Sequence, residues 1–150
     1  MALQENLHVT VAAVIEHEGR FLMVKEAIQG ETVYNQPAGH LEENETLIEA
    51  VVRETLEETA WQFQPAFICG IYQWTQPQNR QTFLRVCFSG TATNQDTQRE
   101  LDRGILEAVW LSRDGLVQRQ DRLRSPLVLQ CLDDYLAGHR YPLDVLRHIP

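Results

Sequence analysis

The stretch "GHLEENETLIEAVVRETLEETAW", Gly39 to Trp61, decides how this chain is read. Thr46 followed by Glu49 fits a capping box, in which hydroxyl and carboxylate each satisfy a free backbone N–H at a helix start. The pattern predicts a helix from Thr46 to about Thr59. Within it Ile48, Val51, Val52 and Thr55 fall on one arc, which should face a core. At about 100° per residue, Glu54, Glu57 and Glu58 share the adjoining arc. The carboxylates are therefore expected at the margin of the core, where a cleft would lie. As pure structure this is a poor arrangement. Like charges four residues apart cost about 0.2–0.5 kcal/mol per pair, and negative charge late in a helix opposes its dipole. A divalent cation reverses both effects, since hard ions such as Mg2+ take carboxylate and phosphate oxygens. An isolated ExxEE in an acidic chain is more often a solvated surface. The surroundings argue for a site here. A Pro-Ala-Gly loop in "NQPAGHLEENE" leads into the helix with a bare backbone carbonyl to offer, and Arg53 stands where a cation orients neighbouring carboxylates.

Working outward, "HVTVAAVIE" starts by alternating and then becomes fully apolar and β-branched, which predicts a largely buried strand. "RFLMVKE" returns from it across the glycine turn "EHEGR". Residues 27–37 show no clean period and contain Gly30 and Pro37, so they are expected to form a loop with a short extended piece around Tyr34. Beyond the helix, "AFICGIYQWT" and "QTFLRVCFSGTA" read as strands joined across "QPQNR", and "EAVWL" as a short strand. Ser112 is the expected N-cap of a short helix, "RDGLVQR". Ser125 and Pro126 open another, "SPLVLQCLDDYLAG", which Gly138 ends. Central strands with flanking helices give an α+β (mixed α/β) class: one domain over residues 1–150, with a mixed sheet packed between helices.

Composition narrows the function. The 150 residues carry a formal charge of −8. That balance argues against a nucleic-acid polymer as partner, because neutralising phosphates needs a basic surface. It leaves room for a small phosphorylated substrate carried with Mg2+. Cys69, Cys87 and Cys131 are odd in number and form no CxxC, so they read as reduced core thiols of a cytoplasmic protein. The N-terminus lacks the basic start and long apolar run of a signal peptide, and no stretch approaches the roughly 20 apolar residues of a membrane span. Either a monomer or a homodimer is expected.

Gly39, Glu45 and "RETLEETAW" together resemble the Nudix box, G-x5-E-x7-R-E-U-x-E-E-x-G-U, where U is bulky and apolar. "VTVAAVIEHEGRFLMVKE", "YNQPAGHLE", "LRSPLV" and "YLAGHRYPL" extend the resemblance over most of the chain, towards the NudJ-type branch of bacterial Nudix phosphatases. The resemblance implies an α/β/α sandwich and a hydrolase dependent on Mg2+, with Mn2+ as a substitute. Water would attack phosphorus in a phosphate anhydride. Nucleoside tri- and diphosphates and the pyrophosphorylated pyrimidine precursor of thiamine are the implied substrates. By the same resemblance Glu54, Glu57 and Glu58 bind metal with the carbonyl of Ala38, and Glu57 or Glu54 takes the proton of the attacking water. Arg53 would position a catalytic glutamate, Gly39 would let the backbone turn tightly, and Glu45 would steady the loop–helix junction. Two positions depart from the pattern. Ala60 replaces the last box glycine, at about 1–2 kcal/mol if the exit is left-handed. Thr55 replaces a bulky aliphatic, but keeps the shape of valine and can return its hydroxyl to the backbone.

Several residues are candidates to meet the substrate. Trp74, near a strand end, suits a stacking platform. Tyr34, His40 and Gln36 flank the glycine loop and face the base or the phosphates. Lys25 and Arg85 offer cations to phosphate oxygens, Arg85 with Leu84 and Val86 buried on the other face. The plainer readings are an aromatic packing the core edge and a solvated strand lysine. Two other functions compete with catalysis: a binding or sensing module that keeps the Nudix fold, and a scaffold whose acidic helix is only surface. Three intact glutamates argue against the first, and failure to bind Mg2+ would mark the second.

Overall fold

A computed structural model describes residues 6–150. Strand β1 (Leu7–Val14) is buried on both faces over its second half, which is why its sequence stops alternating there. Val11 and Ala13 enter one core with Ala50, Val51, Phe63 and Phe88. Ala12 and Val14 enter a second core with Met23, Cys87, Val128 and Cys131. β1 lies inside a four-stranded sheet of order β5-β1-β7-β6, with β5 at Ala38–His40, β6 at Gln62–Thr75 and β7 at Thr82–Thr93. It runs parallel to β7 and antiparallel to β5. The second sheet joins β2 (Glu16–His17), β3 (Arg20–Ile28), β4 (Glu31–Asn35) and β8 (Ile105–Ser112), the last two both pairing with β3. Helix α1 (Leu47–Thr59) packs on β5, β6, β1 and β8; α2 (Arg113–Val117) sits beside β8; α3 (Leu127–Leu136) packs on β6 and β1. The result is the expected α+β sandwich.

Residues 27–37 depart from the expected loop. Gln29 and Gly30 both have positive φ, 50° and 81°, which makes the two-residue turn whose twist matches a hairpin. β3 therefore continues to Ile28 and returns as β4, and glutamine at a left-handed position gives no warning of it. β6 begins at Gln62 rather than Ala66, passing Pro65 by a register shift between Pro65 and Phe67.

Helix α1 starts as predicted. Glu49 N donates to Thr46 Oγ1 (3.0 Å) and Thr46 N to Glu49 Oε1 (2.9 Å). It ends on Ala60 at φ 64°, ψ 10°, so the left-handed exit survives without glycine. The methyl is 4% exposed, and burying a group of that size offsets about 0.8 kcal/mol of the backbone cost. Thr55 behaves differently from expectation: it is fully buried and its hydroxyl has no hydrogen-bond partner. The return of a hydroxyl to the preceding turn is made one turn later, by Thr59, whose Oγ1 donates to Thr55 O (2.6 Å). Ser125 Oγ accepts from Leu127 N (3.2 Å) at the start of α3, as the sequence suggests. All three cysteines are free and buried. Among the described residues no helix is long and apolar enough to cross a membrane.

Candidate active site

Ala13 N donates to Pro37 O and Leu41 N to Val9 O, so the residues between them that alternate with these, Ala38 and His40, turn their backbone groups away from β1. They turn towards α1. Ala38 N donates to Glu58 Oε1 (2.9 Å), and Arg53 Nη2 donates to His40 O (3.1 Å). Between them Gly39 has no positive φ. Its role is close approach rather than the tight turn expected, because a Cβ there would overlap the carboxylate of Glu54.

Arg53 is the hub. Its Nε donates to Glu45 Oε2 (2.6 Å) and its Nη2 to Glu45 Oε1 (3.0 Å), a bidentate pair. Its Nη1 donates to Glu54 Oε1 (2.8 Å) and, more weakly, to Glu57 Oε2 (3.3 Å). Glu45 also accepts from Glu42 N (3.0 Å), which fixes the turn into the helix. The hydrogen bond from Arg53 holds Glu45 below the usual carboxylate range.

Ligand oxygens of Glu54, Glu57 and Asp102 lie within 4.8 Å of one another. Asp102 comes from the loop before β8 and carries no motif signal. Its backbone N donates to Glu57 O (3.0 Å), and Asp96 N donates to Ala60 O (2.9 Å), so the loop is moored to the end of α1. Glu58 stands apart from this trio, 7% exposed and bonded to Ala38. Burial pushes Glu58 up to about 9. Burial also raises Glu54, against the pull of Arg53, and raises Glu57, reinforced by Asp102. A set of crowded carboxylate oxygens, from exposed Asp102 to half-buried Glu54 and Glu57, with no nitrogen or sulfur among them suits a hard divalent cation.

A cleft of about 860 Å³ opens beside these groups, walled by α1 and by both sheets. Ala38, Gly39, His40, Glu54, Trp74 and Arg85 reach its lining. Lys25, Tyr34 and Gln36 do not. Lys25 lies mid-strand and pairs with Glu107 (3.7 Å). Tyr34 is 8% exposed, lies under the guanidinium of Arg119 and accepts from Arg124 N through its backbone oxygen. Gln36 is buried, donating to Val128 O (2.7 Å) and accepting from Arg85 Nη1 (3.1 Å), so it holds Arg85 from behind. Arg85 itself is buried; of its strand neighbours Val86 is buried as expected, but Leu84 is 40% exposed. Glu26 and Phe83 line the cleft without having been singled out in the sequence. A smaller hollow of about 350 Å³, between β6 and the C-terminal segment, contains none of these groups.

Fold and site together define the class, and the chain belongs to the Nudix family: the NUDIX domain model matches residues 6–130. It is 42% identical over 139 residues to Phosphatase NudJ of Escherichia coli K12, covering 93% of this chain and 90% of that one. A NUDIX hydrolase from Nitrosomonas europaea superposes with a TM-score of 0.93 at 49% identity, covering 95% of this chain and 97% of the other. The NUDIX domain of Shewanella oneidensis NrtR, solved with ADP ribose, shares the fold at a TM-score of 0.69 and 19% identity over 88% of each chain. The chain is thus a Nudix hydrolase of the phosphatase type.

Proposed function

We propose that this single Nudix domain hydrolyses phosphate anhydrides with Mg2+, Mn2+ serving as a substitute, and acts in the cytoplasm on nucleoside tri- and diphosphates and on the pyrimidine pyrophosphate precursor of thiamine. The observation that carries the reading is the convergence of Glu54, Glu57 and Asp102 beside a cleft that also holds Arg85 and Trp74. Glu54, Glu57 and Asp102, with Glu58 and the Ala38 carbonyl alongside, would hold the cation, which when bound supplies charge neutralisation to phosphate oxygens and acidifies water. Glu57 accepts the proton as the water oxygen bonds to phosphorus and the P–O anhydride bond breaks. Before the cation binds, burial and the neighbouring Asp102 raise Glu57. Arg53 keeps Glu54 and Glu57 in place through contacts of 2.8 and 3.3 Å. Arg85, His40 and Trp74 meet the substrate, and the three buried thiols favour a reducing compartment.

The test is a panel of anhydrides with Mg2+ in ¹⁸O-water, reading both phosphate products. Label is expected in a phosphate-containing product. Label on carbon overturns the mechanism, and no turnover with any anhydride overturns the function.

A further inference from the structure

The chemistry above leaves two polar atoms of the cleft unused. Among the described residues, Arg85 Nε and Glu26 Oε2 are buried without a hydrogen-bond partner, one a donor and one an acceptor. Both residues line the cleft, from opposite sheets. Arg85 is 5% exposed, and its Nη1 and Nη2 donate to Gln36 Oε1 (3.1 Å) and Asn35 Oδ1 (3.2 Å). These are neutral amides, so they fix the guanidinium plane without cancelling its charge. Nη1 also lies 4.0 Å from Cys131 Sγ. Glu26 follows a register shift of β3 against β8 at Lys25/Glu26, and such bulges re-aim a side chain. Arg124 Nη1 is 3.8 Å from Glu26 Oε2, an ion pair too long to be a hydrogen bond. Unpaired buried groups are rare in native folds and call for a partner.

The sheet places a platform beside them. Phe83 and Arg85 alternate on β7, so they share a face about 6.8 Å apart along the strand. Trp74 and His8 flank Phe83 on the neighbouring strands. Their rings stack: Trp74 on Phe83 with centroids 5.9 Å apart at 27°, and His8 on Phe83 at 4.7 Å and 15°. A flat ring lying along this row turns its edge to Arg85.

We propose that this corner of the cleft reads the organic part of the substrate, a nitrogen heterocycle bearing an exocyclic amine next to an unprotonated ring nitrogen. The inference rests on the phosphate-anhydride reading above. The ring lies across the edges of Trp74 and Phe83, the amine donates to Glu26, and Arg85 Nε–H donates to the adjacent ring nitrogen. A ring imide fits worse. Its N–H lies between two carbonyls, one of which would meet the Glu26 carboxylate.

The experiment uses the full chain with Mg2+ and three substrates: CTP, the triphosphate of the pyrimidin-2-one nucleoside (cytidine without its amine), and inorganic tripolyphosphate. The loss of one charge-assisted hydrogen bond should lower kcat/KM for the pyrimidin-2-one compound about ten- to a hundredfold below CTP. Glu26→Met should abolish that preference and raise the ratio of KM for CTP to KM for tripolyphosphate by a similar factor. Calorimetric binding of CMP against the pyrimidin-2-one monophosphate reads the same preference without turnover, so it separates a failed subsite from a failed hydrolase. Equal binding of the two nucleotides by the wild-type chain overturns the proposal. So does a Glu26→Met variant in which CTP and tripolyphosphate shift in parallel, because Glu26 would then serve the phosphates.

Discussion

Replacing Gly39 by alanine should break the site and spare the fold. The new methyl would overlap the carboxylate carbon and both carboxylate oxygens of Glu54. Those atoms end a flexible side chain, and Gly39 has no positive φ, so the side chain rather than the backbone gives way. Moving it costs the Arg53 Nη1–Glu54 contact of 2.8 Å, worth about 1 kcal/mol for a partly exposed pair. Removing glycine from the unfolded chain returns about 0.4–1 kcal/mol. The net change in stability is thus within about 1 kcal/mol, or about 3 °C in Tm at this length. Glu54 must withdraw by about 1 Å or more to reach ordinary contact, and a misplacement of that size costs about 100-fold in rate. Urea denaturation and Mg2+-dependent turnover on the same preparation check both halves. A loss of several kcal/mol would show that the backbone itself needs glycine, and unaltered turnover would show that the position of Glu54 does not matter.

Glu57→Gln should lower turnover about 10²–10⁴-fold and weaken Mg2+ binding while circular dichroism stays native, since it relieves repulsion from Asp102; near-normal activity would remove Glu57 from the machinery. Thr55→Val should raise stability by about 1–3 kcal/mol in denaturant, because it deletes a buried hydroxyl without a partner and keeps the shape; no gain would mean that the hydroxyl is bonded. Trp74→Ala should raise KM more than it lowers kcat, the mark of lost uniform binding, and a silent variant would move the pocket elsewhere. The folded-state value of about 9 for Glu58 stands above the ordinary 4.5, so its neutral form favours the fold. Its contribution is full below about pH 4.5 and is lost as pH rises towards about 9. Melts in chelator should therefore show Tm falling through that window, with Mg2+ restoring it at the alkaline end, and a Tm that rises there would refute the assignment.

What the sequence revealed was whatever is written in local chemistry. The capping box of Thr46 and Glu49 appears in the structure bond for bond, because both partners lie within one turn. The double-sided burial of β1 was legible as a run without alternation. Asp102 was not legible: it reaches the carboxylates only because its loop is moored to the C-terminal end of α1 at Glu57 O and Ala60 O. Glu26 was hidden for a similar reason, since a register shift rather than strand periodicity aims it. Tyr34 and Gln36 have the right chemistry for a substrate and the wrong depth, and depth is set by packing against Arg119 and Val128, far along the chain. Gly39 was found for the wrong reason. Its spacing in the box marks it, but only the neighbouring helix shows that the missing side chain makes room for Glu54.

The carboxylates also account for the clamps around them. Glu54, Glu57 and Glu58 sit late in a helix whose last turn holds no basic residue, so the dipole and their mutual repulsion act in the same direction. Arg53 is the cation in direct contact with Glu54 and Glu57, and it is shared with Glu45. The remaining ties run through the backbone: Ala38 N to Glu58, Asp102 N to Glu57 O, and Arg53 to His40 O. Two of these ties join α1 to β5 and one joins it to the loop before β8, so the end of α1 cannot withdraw from the repulsion without breaking hydrogen bonds to both. A cation bound among these oxygens removes the conflict that the ties withstand. Mass action then stabilises the whole fold, by about 2.7 kcal/mol when the free ion is a hundred times its Kd. Geometry that is costly without the ion is thereby set before the ion arrives, and this preorganisation lets Arg53 orient two carboxylates with one guanidinium.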